Sequence, residues 1–193
     1  MAEPETLADP RLSAPGPRWR PGDRRPDVPS MLRVDQAGEY GATRIYAGQM
    51  AVLGDRQPCA PLIARMAAQE QRHLARFDEL LAERGVRPTL LQPLWSVAGH
   101  ALGAATALLG PRAAMACTAA VEDEIDAHYA EQLASLGDDE PELAATIAEF
   151  QADEREHRDR AIEAGAEDSF GYPLLYAAIR AGCRAAIELS KRI

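Results

Sequence analysis

Two Glu-x-x-His tetrads, "EQRH" at residues 70–73 and "EREH" at 154–157, constrain this chain more than any other feature. Positions i and i+3 share a helix face, so each tetrad aims a carboxylate and an imidazole in a common direction. The chain has only four histidines in 193 residues, and two of them stand here. One such tetrad alone would read as an ordinary solvated helix face, because glutamates are normally exposed. The surroundings decide whether two of them mean more.

Those surroundings are helical throughout. Ser30 is a plausible cap for a first helix, in which Leu32, Ile45, Ala47 and Val52 recur at helical intervals until "GDRQP" at 54–58 ends it. A second helix is expected from about Cys59 to Arg84, stopped by Gly85 with Pro88 close behind. A third begins after "GP" at 110–111 and stops at "GDDEP", 137–141. A fourth runs from about Glu142 to Ala164, and Gly165 ends it. The matching turns make two antiparallel hairpins. Abundant alanine and only 5% aromatic residues also favour packed helices over a β-sandwich.

Each opening helix carries a glutamate in register with the tetrads. Glu39 precedes Glu70 by 31 residues, and Glu122 precedes Glu154 by 32. Counted from the turn centres, the members of each pair lie about 17 and about 14 or 15 residues away. At ~1.5 Å rise per residue, that puts them within about one helical turn of the same height. Six donors therefore converge: Glu39, Glu70, His73, Glu122, Glu154 and His157. Two single glutamates and two Glu-x-x-His tetrads are the ligand set of di-iron or di-manganese carboxylate bundles. Four carboxylates balance two divalent ions; without ions, four buried anions would each cost several kcal/mol. Mixed oxygen and nitrogen donors suit iron or manganese better than thiolate-seeking metals.

The rest of the composition narrows the field. A formal charge of −9 excludes a general nucleic-acid binder. Cys59, Cys117 and Cys183 form no Cys-x-x-Cys pair, so neither a disulfide framework nor a zinc or rubredoxin-type site is indicated, and a reducing compartment fits. Residues 1–30 hold seven of the fourteen prolines and five arginines with almost no large apolar side chain, and read as an untethered, disordered arm without a signal-peptide core. Residues 31–193 read as a single helical domain. No Gly-x-Gly-x-x-Gly fingerprint marks a nucleotide-binding domain.

The segments "LRVDQAGEYGATRIYAGQ", "EQRHLARFDELL", "VEDEIDAHY" and "DEREHRD" resemble the demethoxyubiquinone hydroxylases over roughly residues 31–193. The resemblance implies an all-α, ferritin-like four-helix bundle of two hairpins, joined by an apolar crossover segment and closed by a C-terminal amphipathic helix. It implies hydroxylation of a polyprenylated demethoxybenzoquinol, one atom of O2 entering the ring and the other leaving as water, late in ubiquinone biosynthesis. It further implies two iron ions per chain, with Glu70 and Glu154 bridging, Glu39 and His73 on one ion, and Glu122 and His157 on the other. NADH is the implied electron source. Gln36 stands where the family usually has His in "VDHAGEYGA", a position that is not a ligand. His128 and Tyr129 match a pair implicated near metal and quinone. Asp35, one turn before Glu39, is expected either to accept a hydrogen bond from a ligand imidazole or simply to favour the helix start.

A membrane-borne substrate directs attention to two segments. Residues 88–111, "PTLLQPLWSVAGHALGAATALLGP", contain no Asp, Glu, Lys or Arg. At 24 residues the stretch could reach about 36 Å as a helix, but Pro93 and several glycines interrupt it, and the bundle needs it as a crossover. In "YPLLYAAIRAGCRAAIELSKRI", Leu174, Leu175, Ile179 and Leu189 oppose Arg180, Arg184, Lys191 and Arg192, the pattern of docking on anionic lipid. The expected place is peripheral, on the cytoplasmic face of a bacterial inner membrane, with a mitochondrial inner membrane as the alternative. Other enzymes of quinone biosynthesis and a second copy of the chain are the candidate partners. The competing readings are a ferritin-like iron-storage or peroxide-scavenging protein, a non-catalytic scaffold for quinone enzymes, and a radical generator, for which no radical tyrosine can be assigned.

Overall fold

The computed structural model describes residues 26–137 and 139–193. Six α-helices account for most of them: α1 (Val28–Leu53), α2 (Ala60–Glu83), α3 (Gln92–Leu108), α4 (Pro111–Ser135), α5 (Pro141–Glu163) and α6 (Tyr172–Ser190), with one 3₁₀ turn at Ala166–Asp168. No strand occurs among the described residues. Every helix has a proline in its first two positions: Pro29, Pro61, Pro93, Pro111, Pro141 and Pro173. A missing N–H costs nothing there, and the fixed φ is already helical. Pro93 therefore starts α3 and does not interrupt it. Most of the expected arm, residues 1–25, lies outside the described residues. α1 begins ahead of the expected Ser30 cap: the carboxylate of Asp27 accepts from the Ser30 N–H at 3.1 Å.

α1 and α2 form one hairpin and α4 and α5 the other, as the matching turns require. α3 packs chiefly on α1 and α6 chiefly on α4, so the chain is two successive three-helix units of similar layout. The α1–α3 crossing is very close. A Cβ at Gly103 would run into the Ile45 carbonyl, and one at Gly48 into the His100 carbonyl. Apolar packing fills both sides of the bundle interior. Tyr46, Ile63, Met66 and Met115 belong to one cluster, and Leu32, Phe77, Tyr129, Leu143 and Phe150 to another.

α3 keeps the expected apolar character, whereas α6 departs in part from the expected polarity. On α6, Ile179 is buried while Leu174 and Leu189 are exposed. Arg180 turns inward, with Nη1 2.7 Å from Asp123 and Nε 2.8 Å from Glu124, both on α4. Glu124 is buried and would be costly unpaired, so α4 recruits the arginine. The outward side of α6 is thus mostly apolar: Leu174, Ala177, Ala178, Ala181, Ala185 and Leu189, with Arg184 and Glu188 among them. α3 presents Leu94, Val97, Ala98, Ala101, Ala105 and Leu108 to the outside, without a charge. No helix among the described residues is long and apolar enough to cross a membrane.

Candidate metal centre

The structure brings all six candidate donors together. Glu39 comes from α1, Glu70 and His73 from α2, Glu122 from α4, and Glu154 and His157 from α5. None is more than 3% exposed. Nδ1 of His73 lies 3.1 Å from Glu154 and 3.5 Å from Glu39. Nδ1 of His157 lies 3.0 Å from Glu70 and 3.2 Å from Glu154. Two overlapping groups result, Glu39, Glu70, His73 and Glu154, and Glu70, Glu122, Glu154 and His157. Within each, one donor atom per residue lies within 4.8 Å of all the others. Glu70 and Glu154 belong to both.

Their hydrogen bonding leaves the centre unsatisfied. Oε2 of Glu39 and Glu122, both oxygens of Glu70 and Glu154, and Nδ1 of both histidines are buried without a hydrogen-bond partner. Buried polar atoms are rarely left so. Eight such atoms facing one another, oxygen and imidazole nitrogen only, fit two divalent cations. In the metal-free protein, protons compensate. Burial, reinforced by Glu154, pushes the Glu70 and Glu122 carboxyls well above the usual range. Burial alone would lower His73, but Glu154 and Glu39 outweigh it and raise it to about 10. Glu154 would likewise be raised by burial, yet His157 and His73 hold it down at about 2.

A ring of buried polar side chains holds the donors, and it largely obeys the duplication. Tyr46, seven residues after Glu39, donates to Oε1 of Glu122 at 2.7 Å; Tyr129, seven after Glu122, donates to Oε1 of Glu39. Each opening helix thus braces the glutamate of the other. Ten residues after each glutamate stands a buried glutamine. Gln132 donates to Asp35 at 2.6 Å, and Gln49 donates to Thr118 at 3.3 Å; Asp35 and Thr118 each lie four residues before the glutamate of their own helix.

Asp35 is not the partner of a ligand imidazole. Its carboxylate serves Gln132 and lies 3.3 Å from Nε2 of His128. Nε2 of His73 goes instead to Asp153, at 3.0 Å. Asp35 is out of reach because it sits a full turn from Glu39 towards the end of the bundle that His128 and Gln132 occupy. There His128 lines a cavity of about 330 Å³ with Ser30, Met31, Gln132, Ser135 and Lys191. Tyr129 is 1% exposed and faces Glu39 rather than that cavity. Gln36 donates to Asp78 at 3.0 Å. Sequence reasoning missed Tyr46 and Asp153. The seven-residue offset from Glu39 marks Tyr46 once Tyr129 is noticed, and Asp153 directly precedes the second tetrad in "DEREH".

A family model described as "Ubiquinone biosynthesis protein COQ7" matches residues 26–190. The chain is 55% identical over 175 residues, 90% of its length and 82% of the relative, to a 3-demethoxyubiquinol 3-hydroxylase of Rhodospirillum rubrum. It is 51% identical over 173 residues, 88% of this chain and 79% of the relative, to the NADPH-dependent 3-demethoxyubiquinone 3-hydroxylase, mitochondrial, of Homo sapiens. Against the 5-demethoxyubiquinone hydroxylase, mitochondrial, of Saccharomyces cerevisiae the identity is 41% over 179 residues, 84% of this chain and 77% of the relative. All three carry hydroxylase names, so the storage and scaffold readings gain nothing from them.

Proposed function

The chain belongs to the COQ7 family of ubiquinone biosynthesis and is a hydroxylase of that pathway, and from this premise we propose that it hydroxylates the ring of a polyprenylated demethoxybenzoquinol at a centre of two iron ions. The observation that carries this reading is the pair of overlapping donor groups sharing Glu70 and Glu154. Glu39 and His73 would complete the site of one ion, and Glu122 and His157 that of the other. Two ferrous ions held there would supply the electrons needed to activate O2. One oxygen atom enters a ring C–H bond as hydroxyl and the other leaves as water, so each turnover consumes two electrons and two protons from outside the site. A reduced nicotinamide nucleotide is the electron source; NADH was the expectation, whereas the human relative is named NADPH-dependent.

The chain's own residues position and enclose. Buried Phe77 and Phe150 pack beside the donors, the Phe150 ring stacked 4.0 Å from that of His73. These rings exclude water, which strengthens every charge interaction inside the cluster. Tyr46 and Tyr129 orient the two outer carboxylates. His128, between the 330 Å³ cavity and the Asp35–Gln132 pair, is the group through which a polar reactant outside the bundle would address the centre.

The apolar outward sides of α3 and α6 dock the protein on a membrane surface, where its substrate is dissolved. Leu94, Val97, Leu108 and Leu174 are each more than half exposed, an arrangement costly in water and favourable at a lipid interface. This is peripheral attachment, on the cytoplasmic face of a bacterial inner membrane or its mitochondrial counterpart.

Complementation of a strain that accumulates the demethoxy quinone, followed by mass analysis of its quinones, tests the activity; iron stoichiometry after ferrous loading tests the centre. The expected outcome is a product heavier by one oxygen and two irons per chain. Glu154→Ala should leave the bundle folded while abolishing both. Full activity with less than one iron per chain would overturn the reading.

A further inference from the structure

The duplication extends to how the two outer carboxylates are used. Oε1 of Glu39 accepts from Tyr129, and Oε1 of Glu122 accepts from Tyr46 at 2.7 Å. Oε2 of each has no hydrogen-bond partner and is buried. Oε2 of Glu39 is 3.5 Å from Nδ1 of His73, so the free oxygen is the one turned to the centre. The same division of labour occurs twice, between elements related by the repeat, with no residue shared between the two copies.

We infer that Tyr46 and Tyr129 are a matched pair of positioning residues that restrict Glu122 and Glu39 to one-oxygen ligation, each keeping one coordination position open on its ion. The inference rests on the two-ion reading of the donor cluster. An ionised carboxylate offers two oxygens and can clamp a cation with both. A phenol hydroxyl held on one of them competes directly with that second metal–oxygen contact. The competition is effective because neither ring can swing away: both tyrosines are 1% exposed, packed in separate apolar clusters. A position kept open on each ion is what a site that must admit O2 requires, while a storage or structural site would gain from closing it.

Tyr46→Phe and Tyr129→Phe keep the rings and delete only the hydroxyls. The full chain and both variants, singly and together, are loaded anaerobically with ferrous iron. Iron content and near-infrared magnetic circular dichroism, which counts ligands around each ferrous ion, are then recorded, with thermal melting as the check on folding. Each single variant should retain two irons and show one added ligand at one ion. The two variants should affect different ions, and the double variant both. Hydroxylation should fall by about 10–100-fold in each single variant, the range for a residue that orients a metal ligand. Unchanged ligand-field bands, or loss of an ion from a variant, overturns the inference and leaves the two-ion reading standing. Failure of the unsubstituted chain to take up two irons overturns that reading and the inference together.

Discussion

Nε2 of His73 sits 3.0 Å from the Asp153 carboxylate, whereas Nε2 of His157 is buried and has no hydrogen-bond partner. The repeat is broken at this contact: the residue before Glu154 is Asp153, and the residue before Glu70 is Gln69. An imidazole that donates its remote N–H to a carboxylate is fixed in tautomer and is a stronger base towards a cation. On the two-ion reading, the two ions would therefore be held unequally.

Asp153→Ala should weaken one ion and not the other, with a loss of about 10–100-fold in affinity. Asp153→Asn, which keeps an acceptor oxygen without the charge, should fall between the two. Stepwise ferrous titration checks this. Wild type should show two resolved steps, and only one of them should shift in the variants.

Removing the metal should make the protein sensitive to alkali. The folded value of His73, about 10, exceeds its ordinary 6.5, so its pairing stabilises the metal-free fold fully below about 6.5 and is lost as pH rises through about 10. Glu70 and Glu122, raised by burial and by Glu154, act with the same sign: the unfolded chain releases these protons first, so stability falls as pH rises above 4.5. Glu154, held at about 2, stays ionised throughout this range. Chelated protein should melt lower at pH 9 than at pH 6, about 2–4 °C for each kcal/mol lost in a chain of this size. Metal uptake at pH 7 should release protons, measurable by calorimetry in buffers of different ionisation enthalpy.

The α1–α3 crossing has no room for a side chain at Gly103 or Gly48. Gly103→Ala should destabilise the fold by about 1–3 kcal/mol, because the clash is with backbone and cannot be relieved by a rotamer change. Thermal melting measures the loss. Since α3 would be lifted from α1, membrane attachment should change even though residue 103 does not face lipid.

Replacing outward leucines should separate attachment from chemistry. Each exposed leucine contributes about 1.5–3 kcal/mol when buried in lipid. Leu94→Asp with Leu174→Asp should therefore reduce vesicle partitioning roughly 100-fold or more. The melting temperature should stay within a few degrees, and iron stoichiometry should not change.

Much of this was legible in the chain because ligand geometry and helix periodicity use the same arithmetic. Glu-x-x-His at i and i+3, and single glutamates at equal distances from two like turns, placed six residues before any contact was seen. The crossover and the last helix were equally visible as segments. What could not be read were contacts between helices. Nothing in "RIYAGQ" says that the Tyr46 hydroxyl ends on a glutamate of another helix, and nothing in "DAHYAEQ" separates the role of His128 from that of Tyr129. The rotation of α6 is hidden in the sequence for the same reason. Its arginines oppose its leucines on a helical wheel, but Asp123 and the buried Glu124 of α4 decide which side turns inward.

That rotation determines how the protein would leave a membrane. With Arg180 tied to Asp123 and Glu124, and Lys191 2.5 Å from Glu188, Arg184 and Arg192 are the exposed cations left on α6 and just beyond it to face anionic headgroups. Attachment through α3 and α6 would then rest chiefly on apolar contact, which salt does not screen. Brine washes that strip electrostatically bound proteins should leave this one in the pellet, and mild detergent should release it.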